Sequence, residues 1–375
     1  MRTYGIQERL HGKSGKNIDS SGIEIWLSNI AEKIVDEDID SIIEDIKDFS
    51  SILQGKRFLL IGGSGFLGTY FYKTLIALNE ILPKPIKITI IDNMITGKNK
   101  IKNRNTNVKF LKADISQNLN IRGRIDYIIH AASIASPPIY RKFPLETIDV
   151  NYQGTRNLLE LARKSKTSSI LYLSSSEIYG DPDVIPTPES YKGYVSCTGP
   201  RACYDESKRL AETICVIYHK KFGVPIKIAR PFNVFGPYLS LDDGRVLPDF
   251  IKNAITKSKI IIHSNGTSTR SFCYVTDAIK AFFRILLLAP SGSIFNVGNN
   301  EEISINQVAA EIKKTIGKSV EVKYVASEDV DYVVDNPQRR CPDLTKITKN
   351  VGYVPTVRFT EGLRRLCNWY MNDLK

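Results

Sequence analysis

Gly62-Gly63-Ser64-Gly65-Phe66-Leu67-Gly68 is the stretch that decides the fold. It follows the apolar run Arg57–Ile61 and opens a helical pattern over Phe66–Ile81. Gly63, Gly65 and Gly68 carry the spacing GxGxxG, which permits a tight turn, close approach of backbone to a pyrophosphate, and close packing of helix on strand. The helix N-terminus then faces the phosphates. The next apolar run, Ile86–Ile91, ends in an acid, Asp92. Strand, glycine loop, helix, strand and acid in that order predict a dinucleotide site.

Outward from this unit, strands and helices alternate. Further strands are expected at Val108–Leu111, Tyr127–His130, Ile170–Ser174 and Ile226–Ala229, with helices at Leu145–Lys164 and Ala202–Phe222. This order predicts an α/β fold, a Rossmann-type doubly wound parallel sheet covered on both faces. After Asn233 the alternation becomes irregular. Helices are expected at Leu247–Lys257, Thr276–Leu288, Ile305–Ile316 and Thr360–Asn372, with Ser304 and Thr360 as caps, and short strands at Ile260–His263, Ile294–Val297 and Val320–Val325. That pattern reads as a smaller C-terminal α/β substrate domain over the carboxyl edge of the sheet. Residues 1–55 read as an N-terminal helical extension: about twenty polar residues of loop, then a helix from Ile23. Its face of Ile39, Ile42, Ile43 and Ile46 must be buried against its own chain or a partner subunit. The expected division is 1–55, then 56–232 for the dinucleotide domain with later segments returning to it, then 233–375.

Composition narrows the function. Hydrophobic residues make up 42% and charged residues 25% of the 375 residues, the balance of a globular protein with a core. The most apolar later stretch, Ala281–Ala289, is interrupted by Arg284 and is too short to span a bilayer; the opening residues, Met1–Ile6, are not a secretory signal. A cytoplasmic protein is expected. Six scattered cysteines without CxxC spacing, and only 4 histidines, argue against a zinc site or a disulfide framework. Lys plus Arg (52) exceed Asp plus Glu (40), a net charge of +12. The lysines are spread rather than gathered in blocks, which favours a small anionic ligand over nucleic acid.

Asp92 can accept hydrogen bonds from ribose hydroxyls and would repel a 2′-phosphate, so NAD is favoured over NADP. Lys98 and Lys100 nearby keep NADP open. Asp114, at the end of a later strand, reads equally as an adenine-edge contact or a solvated carboxylate. Tyr204 and Lys208 stand at i and i+4 on one helical face. A nearby ammonium favours the phenolate, and such a tyrosine can take a proton from a sugar hydroxyl while hydride leaves the same carbon. Upstream, the strand Ile170–Ser174 runs into Ser174-Ser175-Ser176-Glu177 at its carboxyl end, where the ligand crevice of a parallel sheet lies. The serines can hold a hydroxyl there, and Glu177 can orient a sugar or manage a proton.

Together these residues resemble the extended short-chain dehydrogenase/reductase superfamily and, within it, the UDP-glucuronate decarboxylases, also called UDP-xylose synthases. The resemblance runs over roughly residues 55–370. Beyond the glycine loop it rests on Ile91-Asp92-Asn93 with Thr96-Gly97, Ala135-Ser136-Pro137-Pro138, Ser176-Glu177-Ile178-Tyr179-Gly180-Asp181-Pro182, Thr269-Arg270-Ser271-Phe272 and Arg340-Cys341-Pro342-Asp343. Arg201-Ala202-Cys203-Tyr204-Asp205-Glu206 and Asp242-Asp243-Gly244-Arg245 point to the decarboxylase subgroup.

The resemblance implies NAD as cofactor, held by Gly62, Gly65, Phe66, Leu67, Gly68, Asp92, Asn93, Asp114, Ile115 and Ala132 with Tyr204 and Lys208. It implies Tyr204 as base with Lys208 its partner, and Ser175 and Ser176 near the reacting hydroxyl. Glu177 and Arg340 would bracket the sugar carboxylate, Arg340 being a candidate proton donor with Arg339 as its rival. Pro137, Asn233, Arg245 and Arg270 would contact the nucleotide-sugar. The implied chemistry is oxidation at carbon 4, loss of carbon dioxide from the resulting keto acid, reprotonation and return of the hydride. The helices Leu145–Lys164 and Ala202–Phe222 match those that pair in the superfamily's four-helix dimer interface, which implies a homodimer. Three features depart from the pattern: Gly193–Gly199 ahead of the tyrosine, Ile139 in place of histidine after Pro138, and the N-terminal extension. Two enzymatic alternatives stay open at this stage, a nucleotide-hexose 4,6-dehydratase and a 4-epimerase. Dehydratases acting on thymidine-linked glucose carry Asp-Glu where this chain has Ser176-Glu177. A non-catalytic NAD-binding module is the alternative of another class.

Overall fold

A computed structural model describes residues 20–97, 101, 105–117, 119, 121, 123–317, 319–326 and 337–373. The first nineteen residues, Lys98 and Lys100 lie outside them. Seven parallel strands form the main sheet: β1 (Arg57–Ile61), β2 (Lys87–Asp92), β3 (Val108–Lys112), β4 (Tyr127–His130), β5 (Ser169–Leu173), β6 (Ile226–Pro231) and β7 (Ile294–Val297). Their spatial order is β7-β6-β5-β4-β1-β2-β3. The sheet is therefore Rossmann-like, as its sequence pattern predicts, and β7 returns to it from the C-terminal third of the chain.

Strand β1 shows why both faces are covered. Successive side chains point to opposite sides. Phe58 and Leu60 enter one apolar cluster with Phe71 and Leu75 of helix α2 (Phe66–Leu78). Leu59 and Ile61 enter another, with Leu158 of α3 (Thr155–Ser165) and Ala211 of α4 (Ala202–Phe222). A strand buried on both faces reads as a continuous apolar run, which is how Phe58–Ile61 reads.

The expected helix Leu145–Lys164 is broken in the middle. Pro144–Asp149 and α3 flank a π-helical turn at Val150–Gly154. Buried Asn151 accepts from Ser133 Oγ at 2.8 Å and donates to Ser207 Oγ of α4 at 2.9 Å. The widened turn is where the helix delivers this amide between α4 and the cleft, and π-turns recur at such places.

The C-terminal third adds α5 (Val246–Lys257), α6 (Val275–Leu288), α7 (Ile305–Ile316) and α8 (Phe359–Asp373). Ser304 caps α7 in a capping box: its Oγ accepts from Gln307 N at 3.2 Å, and Gln307 Oε1 accepts from Ser304 N at 2.8 Å. Thr360 is not the cap of α8, because that helix already begins at Phe359. Strand Thr269–Ser271 pairs with Glu302–Ser304 on one side and Arg339–Arg340 on the other, which sets Arg270 and Arg340 opposite each other.

The extension forms α1 (Ser20–Ile46), three residues longer at its start than its pattern predicts. Its apolar face, including Val35, Ile39, Ile42 and Ile46, is buried on its own chain against α2, α6 and α8. Asp38 lies in the middle of that face and is 1% exposed. Its Oδ2 accepts from Tyr70 and Tyr274 at 2.7 and 2.9 Å, and its Oδ1 accepts from Arg365 Nη2 at 2.8 Å. Burial raises the Asp38 carboxyl, against the pull of Arg365 and the two phenols. Arg284 pairs with Asp45 further along, at 2.8 Å.

Removing one partner of a buried ion pair strands the other charge, so Asp38→Ala is expected to cost about 3 kcal/mol. Urea unfolding should read this as a lower midpoint at unchanged slope. A loss below about 0.5 kcal/mol, the size of an ordinary surface change, would show that the network does not hold α1.

Candidate active site

The strand order reverses between β1 and β4, so the connections leaving their carboxyl ends diverge and open a crevice. The glycine loop forms its floor. A Cβ at Gly68 would lie 2.0 Å from Gly62 O and 2.7 Å from Gly63 Cα, so this position can only be glycine while α2 packs so near the strand. At Gly65 a Cβ would meet only Gly62 O, at 3.4 Å. The space over Gly65 is open to the cleft, the shape that a backbone cradle for a pyrophosphate requires. Gly62, Gly65, Phe66, Leu67 and Gly68 all line the main cleft.

Asp92 is nearly buried, and each carboxylate oxygen already accepts one backbone N–H, from Ser64 and from Met94, both at 2.8 Å. A carboxylate oxygen has a second lone pair, so ribose hydroxyls can still be received. Asp92 is thus a brace of the glycine loop that keeps acceptor capacity toward the cleft. Asn93, Ile115 and Ala132 line a smaller recess beside it. Asp114 lines neither space. It accepts from Asn93 Nδ2 at 2.9 Å and from Ser116. Burial would raise its carboxyl, but these hydrogen bonds outweigh that and hold it below the usual range. The residues present fit a dinucleotide.

Tyr204 and Lys208 lie in the first two turns of α4, both buried. The Tyr204 ring stacks on Tyr140, with centroids 5.4 Å apart and planes at 12°. Lys208 Nζ donates to Leu173 O at 2.8 Å and sits 5.9 Å from the Tyr204 ring centroid. Burial pushes the Lys208 ammonium down to about 7. Burial likewise pushes the Tyr204 phenol up to about 12, opposed by the Ser175 hydroxyl and the Arg245 guanidinium. This differs from the simple expectation of a lysine-tuned phenolate. Lys208 Nζ is directed to a main-chain carbonyl, and the nearby cation that lowers the phenol is the Arg245 guanidinium.

Ser175, Ser176 and Glu177 follow β5, and all face the cleft. Ser175 Oγ accepts from Glu177 N at 3.2 Å. Glu177 is held between two arginines, Oε1 against Arg340 Nη1 and Oε2 against Arg201 Nη2. Burial would raise its carboxyl, yet Arg201 and Arg340 overcome this and bring it down to about 2. An acid that strong is ionised at neutral pH and donates no proton. Arg340 Nη2 also donates to Gly180 O at 3.1 Å. The two neighbouring arginines separate by strand alternation: Arg340 turns inward at 3% exposed, while Arg339 turns out to Glu302 at 2.7 Å.

Arg245 pairs with Asp243, and Arg270 donates to Thr269 O at 2.8 Å. Asn233, at φ +37°, donates to Ser271 O at 3.0 Å. With Pro137 these line the same cleft of about 1060 Å³. That volume is at the top of the range for a single small ligand and suits two lying end to end. Sequence reasoning singled out neither Arg201 nor Asp205 as a site residue. Arg201 lines the cleft, and Asp205 Oδ2 stands 3.5 Å from Arg201 Nε. Burial, with Glu177 close by, raises the Asp205 carboxyl. The available signal was Arg201 one helical turn before Tyr204.

Residues 58–298 match the NAD dependent epimerase/dehydratase family. The chain belongs to that family. Among curated proteins it is 36% identical over 330 residues to UDP-glucuronic acid decarboxylase 1 of Xenopus tropicalis, covering 87% of this chain and 75% of that one. It is 39% identical over 310 residues to UDP-glucuronic acid decarboxylase 5 of Arabidopsis thaliana, covering 82% and 87%. Among solved structures, the UDP-glucose 4-epimerase of Thermotoga maritima with UDP-glucose superposes with a TM-score of 0.75 at 24% identity, over 85% of this chain and 100% of that one. A dTDP-glucose 4,6-dehydratase of Streptomyces venezuelae with NAD bound gives 0.74 at 23%, over 84% and 97%. These two share the fold.

Asp92→Ala removes two charge-assisted hydrogen bonds, one to Ser64 of the glycine loop and one to Met94, as well as the proposed ribose acceptor. It is expected to weaken NAD binding about 10- to 100-fold, as the loss of one to two such bonds does, and to narrow the gap to NADP. Calorimetry reads both. An unmodified protein that prefers NADP would overturn the reading of Asp92.

Proposed function

We propose that the protein converts UDP-glucuronate to UDP-xylose and carbon dioxide. The observation that carries this is the pair of guanidiniums, Arg201 and Arg340, converging on one carboxylate, Glu177, in the cleft that holds Tyr204. Arg201 has a second carboxylate, Asp205, whereas among the described residues Arg340 shares Glu177 alone, so Arg340 is the cation that a sugar carboxylate answers. The named activity of the curated relatives, which align over most of this chain, supports the same substrate.

In this reading the nucleotide lies across the C-terminal third, with Arg245 and Arg270 at the diphosphate and Asn233 and Pro137 beside the sugar. Residues 233–375 then serve mainly the substrate and 56–232 mainly the cofactor. Bound NAD supplies the two-electron oxidation of carbon 4 and returns the electrons at the end, so the overall reaction is redox neutral. Ser175 and Ser176 hold the carbon-4 hydroxyl. Tyr204 takes its proton, with Arg245 and the ammonium form of Lys208 stabilising the phenolate. The ketone formed is beta to the carboxylate. As carbon dioxide leaves, the bonding pair moves onto the ketone oxygen, and the protonated Tyr204 hydrogen-bonds to the enolate. Carbon 5 then takes up a proton from water, which leaves as hydroxide, and Tyr204 gives its own proton back to the carbon-4 oxygen. An arginine does not give up its proton at neutral pH, so Arg340 binds the carboxylate and is not the proton source.

Glu177 also bears on the dehydratase alternative. Expelling the carbon-6 hydroxyl calls for an acid, and here a serine, Ser176, stands beside a Glu177 carboxyl that Arg201 and Arg340 hold below the usual range.

The same proposal includes a homodimer. Leu145 and Ile148 are exposed before the π-turn, and Leu210 and Ile217, seven residues apart on α4, form an exposed stripe beside them. Apolar stripes on adjacent helices favour burial against a second copy. All six cysteines are free thiols, which suits a reducing compartment such as the cytoplasm. Among the described residues no helix is long and apolar enough to cross a membrane.

Tyr204→Phe should lower carbon dioxide release from UDP-glucuronate by about a hundred- to ten-thousand-fold, the worth of a general base, while UDP still binds. Mass analysis of the product should show a UDP-pentose with the unmodified protein. Water loss from a neutral nucleotide-hexose without any carbon dioxide from UDP-glucuronate would overturn the proposal.

A further inference from the structure

The charge cluster in the cleft is a row of alternating signs: Arg340, Glu177, Arg201, Asp205. Its two guanidiniums are set differently. Arg201 stands at the N-terminus of α4, three residues before Tyr204, with Asp205 behind it on the same helix as a second carboxylate. Arg340 comes from a two-residue strand and has Glu177 as its carboxylate partner. Both guanidiniums share the single carboxylate of Glu177.

A substrate carboxylate entering this cleft competes with Glu177 for Arg340. The exchange is favourable only when Glu177 keeps another cation, because a buried carboxylate left without a partner carries a large desolvation penalty. Arg201 is that cation. It faces the Glu177 oxygen that Arg340 does not use, and Asp205 anchors it from the far side. We infer that Arg201 is a positioning residue: it holds Glu177 in place so that Arg340 is released to the carboxylate of the substrate. The inference rests on the proposal that the substrate carries a carboxylate on its sugar.

Two other roles for Arg201 make different predictions. If it bound the substrate carboxylate itself, its loss would matter whether or not Glu177 were ionised. If it only supported the fold of α4, its loss would weaken every ligand alike. A double-mutant cycle with Glu177→Gln separates them, since a neutral amide does not compete for Arg340.

The experiment measures binding of UDP-glucuronate and UDP-glucose by calorimetry to the full-length protein carrying NAD, with Tyr204→Phe present throughout to stop turnover during the titration. In that background it compares the otherwise unmodified protein, Arg201→Gln, Glu177→Gln and the double variant. Arg201→Gln alone is expected to cut the preference for UDP-glucuronate over UDP-glucose by about tenfold or more, as the loss of one buried charge partner does. In the Glu177→Gln background the same change should alter that preference by less than about twofold, the limit of additivity for uncoupled sites. Arg201→Lys, which keeps the charge, should restore part of the preference. Equal losses in both backgrounds, a loss of UDP-glucose binding as large as that of UDP-glucuronate, or no preference in the otherwise unmodified protein would each overturn the inference. Turnover is scored separately. A protein that prefers UDP-glucuronate but releases no carbon dioxide would refute the proposed reaction and leave the binding cycle as a valid test of Arg201.

Discussion

The divergence of the connections that leave the paired strands β1 and β4 is the constraint on which the rest of this molecule depends. A parallel sheet sends all its strand ends to one edge, and at one point only the connections turn away from each other. The glycine loop, the serine cluster after β5 and the first turns of α4 reach that gap because they leave the same edge. The three-stranded sheet that sets Arg270 and Arg340 in register brings both to the same cleft. The side chains of the cleft come from segments as far apart as Gly62 and Arg340, and the strand order alone gathers them.

Gathering so many charges in a buried place has a cost, and the cleft meets it by pairing them. Glu177 is set between Arg201 and Arg340, Arg245 has Asp243, and Lys208 has a main-chain carbonyl. The Tyr204 phenol, raised by burial and stacked against Tyr140, has the Ser175 hydroxyl and the Arg245 guanidinium to offset its burial.

Much of this was legible in the sequence, and the limits have physical reasons. Buried strands such as β1 and strongly patterned helices such as α4 and α7 were readable to the residue, because their periodicity is set by the packing itself. The π-turn at Val150–Gly154 was not, since it answers to Ser133 and Ser207, which are distant in sequence. Asp38 sits in a run of acids, Asp36-Glu37-Asp38 and Asp40, that reads as a solvated face; its partner Arg365 is 327 residues away. Arg201 was visible only as a charge near a helix start, because its meaning comes from Glu177 on another strand's end. Local patterns announce elements and loops, whereas the pairing of charges across the fold is settled in three dimensions.

The hold of α1 on α8 has an implication for how the chain is made. Asp38 is among the first residues of the described protein to leave the ribosome, and Arg365 is among the last. Tyr70 and Tyr274 emerge between them. Throughout synthesis, therefore, the opening helix carries an acid on its greasy side with no cation to meet it. Tyr70 of α2 can meet that acid early, whereas the ion pair with Arg365 can form only once α8 has been made, so the contact that joins α1 to α8 belongs to the finished fold and to none of the shorter chains that precede it.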